Sequence, residues 1–155
     1  MISVHFQIVD DFNFEVVDSY QRKVFTYHYE PAYQLAIQTW YGFIHPDTII
    51  EIYKYIAKFA YEHKQPIYGS ITDLIGIEGS FDSTNDWVVN EYMPRAVKYG
   101  FRLAGIIQPQ EFYAQLALED MEEIKRGYQT KIFDNFDECY SWITKELGKP
   151  SSKIS

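Results

Sequence analysis

A single cysteine, Cys139, stands among 155 residues, so the chain can form no internal disulfide and can supply neither a C-x-x-C redox pair nor a thiolate zinc knuckle. Its four histidines, His5, His28, His45 and His63, show no i, i+4 pairing and no H-E-x-x-H spacing, which removes the sequence grounds for a metal site. Basic residues are scarce as well. Fourteen Lys and Arg against 22 Asp and Glu leave a formal charge of -8, a field that repels phosphate backbones and anionic headgroups. No apolar run approaches the roughly 18 residues of a membrane span, and the first residues lack the basic start and apolar centre of a signal peptide. There is no G-x-x-x-x-G-K phosphate loop, no G-x-G-x-x-G and no G-x-S-x-G elbow. These gaps lead to the expectation of a cytoplasmic protein with no cofactor, no metal, no nucleic-acid partner and no membrane span.

What the chain has in quantity is aromatic rings. Fourteen Tyr, 11 Phe and 3 Trp make up 18% of it, and such rings either fill a core or cover a surface that something else touches. The length suits one hydrophobic core and is too short for two. Residues 1–148 are therefore read as a single domain and 149–155 as a disordered polar tail.

The first third alternates apolar and polar residues at Val4–Ile8, Val24–Tyr29 and Tyr33–Tyr41, with polar, turn-prone breaks between, and predicts a meander of three antiparallel strands. Pro46 then opens a helix through Glu62. Ile49, Ile52, Tyr53, Ile56 and Ala60 fall on one face of it and charges of both signs on the other. Three strand-then-helix units follow. Ile67–Asp73 is a strand, Leu74–Asp82 a loop, and Ser83 with Asp86 has the spacing of a capping box. Pro94 should kink that helix. Phe101–Ile107 is a near-continuous apolar strand; Pro109 opens a helix with Tyr113, Leu116, Ala117, Met121 and Ile124 inward. Tyr128–Phe133 is the last strand, and Asn135 with Glu138 caps the last helix.

The stretch from Trp40-Tyr41-Gly42 through Thr72-Asp73-Leu74, Trp87 to Ala96, Leu103 to Ile107 and Phe133-Asp134 to Trp142-Ile143 resembles small bacterial proteins of the SpoIIAA-like, STAS-related family. The resemblance implies an α/β fold: a mixed sheet in which an N-terminal β meander is followed by α and three βα units, with helices packed on the sheet. It also implies an intracellular role in regulatory protein contacts more than in catalysis. The better-understood members carry a phosphorylatable Ser in a D-S-S-G-like motif at a helix start. Here Leu74 to Phe81 separate Asp73 from Ser80, Ser83 and Thr84, which are only positional counterparts.

Two groups of residues are candidate sites. Asp73, Ser80, Ser83 and Thr84 lie where a strand's carboxyl end leads into a helix N-terminus, a place that favours anions; in the simpler reading Ser83 caps the helix and Asp73 forms a turn. Trp40, Trp87, Tyr92 and Arg95 could line a pocket for an apolar or anionic ligand, against the simpler reading of core packing. Trp87 and Tyr92 are five positions apart, so an α-helix does not place them on one clean face. Cys139 belongs to the apolar stripe of the last helix. The leading expectation is a non-enzymatic regulatory or protein-interaction module with a protein partner, a homodimer being one form such contacts could take. The alternatives are a carrier of a small lipid-like ligand and a hydrolase using Asp73 with a nearby Ser.

Overall fold

Four antiparallel strands, not three, form the first half of the sheet: β1 (Val4–Asp10), β2 (Asn13–Asp18), β3 (Lys23–Glu30) and β4 (Leu35–Phe43). The extra strand is β2. Only two residues separate it from β1, because the Asp10 side chain closes the turn by accepting from the Phe12 backbone N–H at 2.9 Å and from Asn13 Nδ2 at 2.8 Å. Its alternation of Phe14 and Val16 with Asn13 and Glu15 is too short to stand out from the polar breaks on either side. The computed structural model describes residues 3–122 and 127–148.

Helix α1 (Pro46–Glu62) starts where the proline does, with the His45 ring accepting from the Asp47 N–H at 3.1 Å. Ile52, Ile56 and Phe59 on its inner face are fully buried against the meander, each stabilising the fold by about 1.5–3 kcal/mol. The second half of the sheet is parallel: β5 (Gly69–Glu78), β6 (Leu103–Ile107) and β7 (Gln129–Phe133) add to β4 in sequential order. Between β5 and β6 the chain makes a 3₁₀ turn (Asp82–Thr84), α2 (Asn85–Trp87), a π-helical turn (Val88–Tyr92) and α3 (Met93–Lys98). Then come α4 (Phe112–Glu122) and, after β7, α5 (Phe136–Leu147). The structure is thus α/β, with a mixed seven-stranded sheet.

Several sequence expectations need correction. Strand β5 does not stop at Asp73 but continues through most of the expected loop to Glu78, because β4 is long enough to keep pairing with it beyond a bulge. Ser83 makes no capping box with Asp86; the 3₁₀ start instead lets Thr84 Oγ1 donate to the Phe81 carbonyl at 2.7 Å. Leu116 is 47% exposed and not inward, while Ala114, Ala117 and Leu118 form the buried face of α4. Tyr113, Met121 and Ile124, also expected inward, lie outside the described side chains, as does the 149–155 tail outside the described residues. The cap of α5 forms as expected, the Glu138 N–H donating to Asn135 Oδ1 at 2.9 Å.

Each crossover steps the same way across the sheet, so right-handed connections leave their helices on one face, and α5, which follows the edge strand, folds back over the other. The two faces differ in chemistry. Toward α5 the sheet presents Leu35, Ile71, Leu103 and Ile107, packed on Cys139 and Ile143. Two glycines allow the close approach: a Cβ on Gly105 would lie 2.5 Å from Cys139 Sγ, and one on Gly69 would lie 3.0 Å from the Leu147 side chain. Gly105→Ala should therefore destabilise the fold by about 1–3 kcal/mol in urea denaturation. Adding Cys139→Ala should recover part of that loss, a coupling of at least about 0.5 kcal/mol. Additive losses in the double variant would show that the contact is not the cause.

Candidate functional site

On the face away from α5, the parallel strands carry polar or small residues where a sheet covered by helices is ordinarily apolar. Gln38 pairs with Thr72 across β4 and β5, and Ser70 pairs with Ala104, itself opposite Thr130 on β7. These four polar residues form the floor of a cavity of about 120 Å³. Ile49 and Tyr53 of α1 wall one side, and Val88, Tyr92, Met93 and Ala96 roof it.

The roof owes its shape to Pro94. A proline ring collides with the carbonyl four residues earlier in an α-helix, and the chain avoids Asn90 by widening one turn, so that the Met93 N–H donates to Val88 O in the i→i+5 pattern. That pattern brings residues five apart onto one side. Trp87 and Tyr92, which α-helical spacing separates, have ring centroids 5.9 Å apart, and both rings meet Tyr53, at 6.2 and 4.8 Å. Trp40 joins from the sheet, 5.5 Å from Tyr53. The expectation that Trp87 and Tyr92 do not share a face is overturned by the π-helical turn.

Of the residues singled out from the sequence, Trp40, Tyr92 and Thr84 line the cavity. Trp87 stands behind Tyr53 and Tyr92, and Arg95 is exposed on α3 outside the lining. The other candidate group does not assemble. Asp73 pairs with Ile107 and follows Ile71 at a two-residue step, so it lies on the α5 face of the sheet, opposite the cavity. There its carboxylate accepts from the Ile75 N–H at 3.1 Å inside the β5 bulge, a turn former's role. Ser80 is exposed and donates to Asp82 at 2.9 Å, and Ser83 is exposed. Gln38, Ser70, Thr72 and Thr130 were legible only as polar residues at interior strand positions, a signal that requires knowing which strands are covered on both faces.

Among the described residues that line the cavity, none carries an ionisable acid or base other than tyrosine. Burial, reinforced by neighbouring tyrosine rings, holds the Tyr53 and Tyr92 hydroxyls well above their ordinary value of 10.0, so both stay protonated. The Trp40 indole N–H is buried and has no hydrogen-bond partner among the described residues. Gln38, 6% exposed, has none for its amide. Cys139 is inert chemically, its thiol pushed up to about 12 by burial and by the Asp73 carboxylate. Among the described residues, no group of three or more His, Cys, Asp or Glu gathers to hold a metal, and no helix is long and apolar enough to cross a membrane.

No protein-family model matches the chain, and no curated protein matches it in sequence.

Raised tyrosine values bind the fold to alkaline pH. Unfolding returns Tyr53 and Tyr92 to about 10, so the folded state holds more protons above that pH, and stability that is complete below pH ~10 falls as pH rises further. Urea midpoints measured from about pH 8 to about pH 11 should drop beyond pH ~10, less steeply in Tyr53→Phe/Tyr92→Phe. A wild-type midpoint flat over that range would contradict the burial of these hydroxyls.

Proposed function

We propose that this protein is a non-catalytic binding module that holds a small uncharged molecule in the cavity between the parallel strands and the π-helical roof. The observation that carries this reading is the Gln38 side chain, 6% exposed on the cavity floor, whose amide has no hydrogen-bond partner among the described residues. An unsatisfied buried donor costs about 1–3 kcal/mol, and a floor of Val and Ile would be more stable than one of Gln38, Ser70, Thr72 and Thr130. Sequences retain such local conflicts where a site requires them. The described lining residues offer tyrosine hydroxyls held neutral and no carboxylate, imidazole or thiolate, which supports recognition over reaction. The neutral lining disfavours an anionic occupant, and the volume disfavours a long acyl chain.

The succession of β meander, α and three βα units supports placing the module with the SpoIIAA-like, STAS-related proteins, in which binding would serve regulation. Ligand-observed NMR with a panel of neutral single-ring compounds tests the reading. At least one compound should bind the wild type and fail to bind when the cavity is filled from the roof by Ala96→Leu or from the floor by Thr130→Leu. Both variants should keep or raise the melting temperature, since they fill space. Binding that survives both would place the ligand elsewhere.

A second reading, a protein-contact module that pairs with its own copy, is favoured by two rings at the far end of β4. Tyr41 and Phe43 are exposed, Phe43 by 67%, and lie over Gly76 and Gly79, where a Cβ would stand 3.6 and 2.6 Å from them. Analytical ultracentrifugation should show concentration-dependent dimers that Tyr41→Ser/Phe43→Ser converts to folded monomers. A wild type that is monomeric at every concentration removes this reading.

A further inference from the structure

Four properties of the cavity together restrict what it accepts, given the reading that it is a ligand site. The first is charge: with no ionised side chain among the described lining residues, a charged ligand would lose its hydration without compensation, so the ligand is neutral. The second is size. A cavity of about 120 Å³ is close to the roughly 150 Å³ that accepts one benzene, so it takes a single ring and not a fused system or a chain. The third is shape: Trp40, Tyr53 and Tyr92 stand within 5.5 Å of one another, centroid to centroid along the series, and present aromatic surface to whatever lies above the strands. A flat ring gains most from such walls.

The fourth is hydrogen bonding. Gln38 has both a donor and an acceptor on one planar amide, without a partner among the described residues, and its strand partner Thr72 adds a hydroxyl on the same face. A carboxamide is matched in two bonds by a group with an N–H beside a C=O.

We propose that the ligand is a neutral, planar, single-ring heterocycle with a lactam edge, an N–H adjacent to a carbonyl, received by Gln38 and Thr72 and packed against Trp40, Tyr53 and Tyr92. No bond is made or broken on binding.

Four compounds of similar size separate the terms: 2-pyridone has the ring and the edge, δ-valerolactam the edge on a puckered ring, toluene a flat ring without the edge, and pyrrole-2-carboxylate a flat ring with a charge. Titrations of the full chain would follow the Trp40 indole N–H resonance, assigned by its loss in Trp40→Phe. The expected result is saturable binding of 2-pyridone at least about tenfold tighter than that of the other three. The near-isosteric Gln38→Met should weaken 2-pyridone about tenfold and leave toluene unchanged. If toluene or δ-valerolactam binds as tightly as 2-pyridone, and Ala96→Leu abolishes that binding, the lactam class is overturned while the cavity stands as a ligand site. An unaffected 2-pyridone affinity in Gln38→Met also overturns the class. If none of the four moves the Trp40 resonance, the class falls, and the compound panel with the two filled-cavity variants then decides the fate of the site itself.

Discussion

Strands β5 and β6 must be covered on both faces, and the way the two covers differ governs the molecule. Parallel strands need crossovers, crossovers carry helices, and successive right-handed crossovers place those helices on one side. The other side is left to a single helix, α5, which must do alone what three helical segments do opposite. It succeeds by approaching closely: Gly69 and Gly105 remove the Cβ atoms that would hold it off, and Cys139, Ile143 and Leu147 settle directly onto the strands.

Because α5 seals one face with a largely apolar stripe, the opposite face can depart from that pattern. The meander and α1 form the largest apolar cluster, rich in stacked rings such as Phe14 on Tyr27 at 4.9 Å. Stability is concentrated there and under α5. Between these regions the covering segment is short and irregular, a 3₁₀ turn, one turn of α-helix and a π-helical turn, and it closes over polar strand residues instead of packing down on them. Irregular helix geometry near a cavity with an orphaned donor is the pattern in which local rules yield to a site.

Much of the architecture was legible because it follows from local signals. Pro46 and the 3.6-residue stripe mark α1, Asn135 marks the start of α5, and the unbroken run Leu103–Ile107 marks a strand buried on both faces. Strand β2 was not legible, since six residues between two tight turns give too little periodicity. Nor was the extension of β5 to Glu78, since it exists only because β4 pairs with it past the bulge. The candidate site was half legible. Trp40 and Tyr92 were singled out as rings that could line a pocket, but Tyr53 read as an ordinary member of a helix stripe, and Gln38 and Thr72 as ordinary strand polars.

Composition and periodicity by themselves determined that this chain folds as an α/β module with a long amphipathic helix and a cysteine on the apolar stripe of its last helix, because those properties depend on residues within a few positions of each other. Tertiary structure decided which side of the sheet each strand residue faces. That parity sends Asp73 toward α5 and away from the serines, brings Gln38 beside Thr72 from 34 positions away, and sets both on the face of Trp40, beneath Tyr53 and Tyr92. The reason is physical: a strand's face is fixed only by its register with neighbours, and register is a property of pairs of segments that no single segment contains.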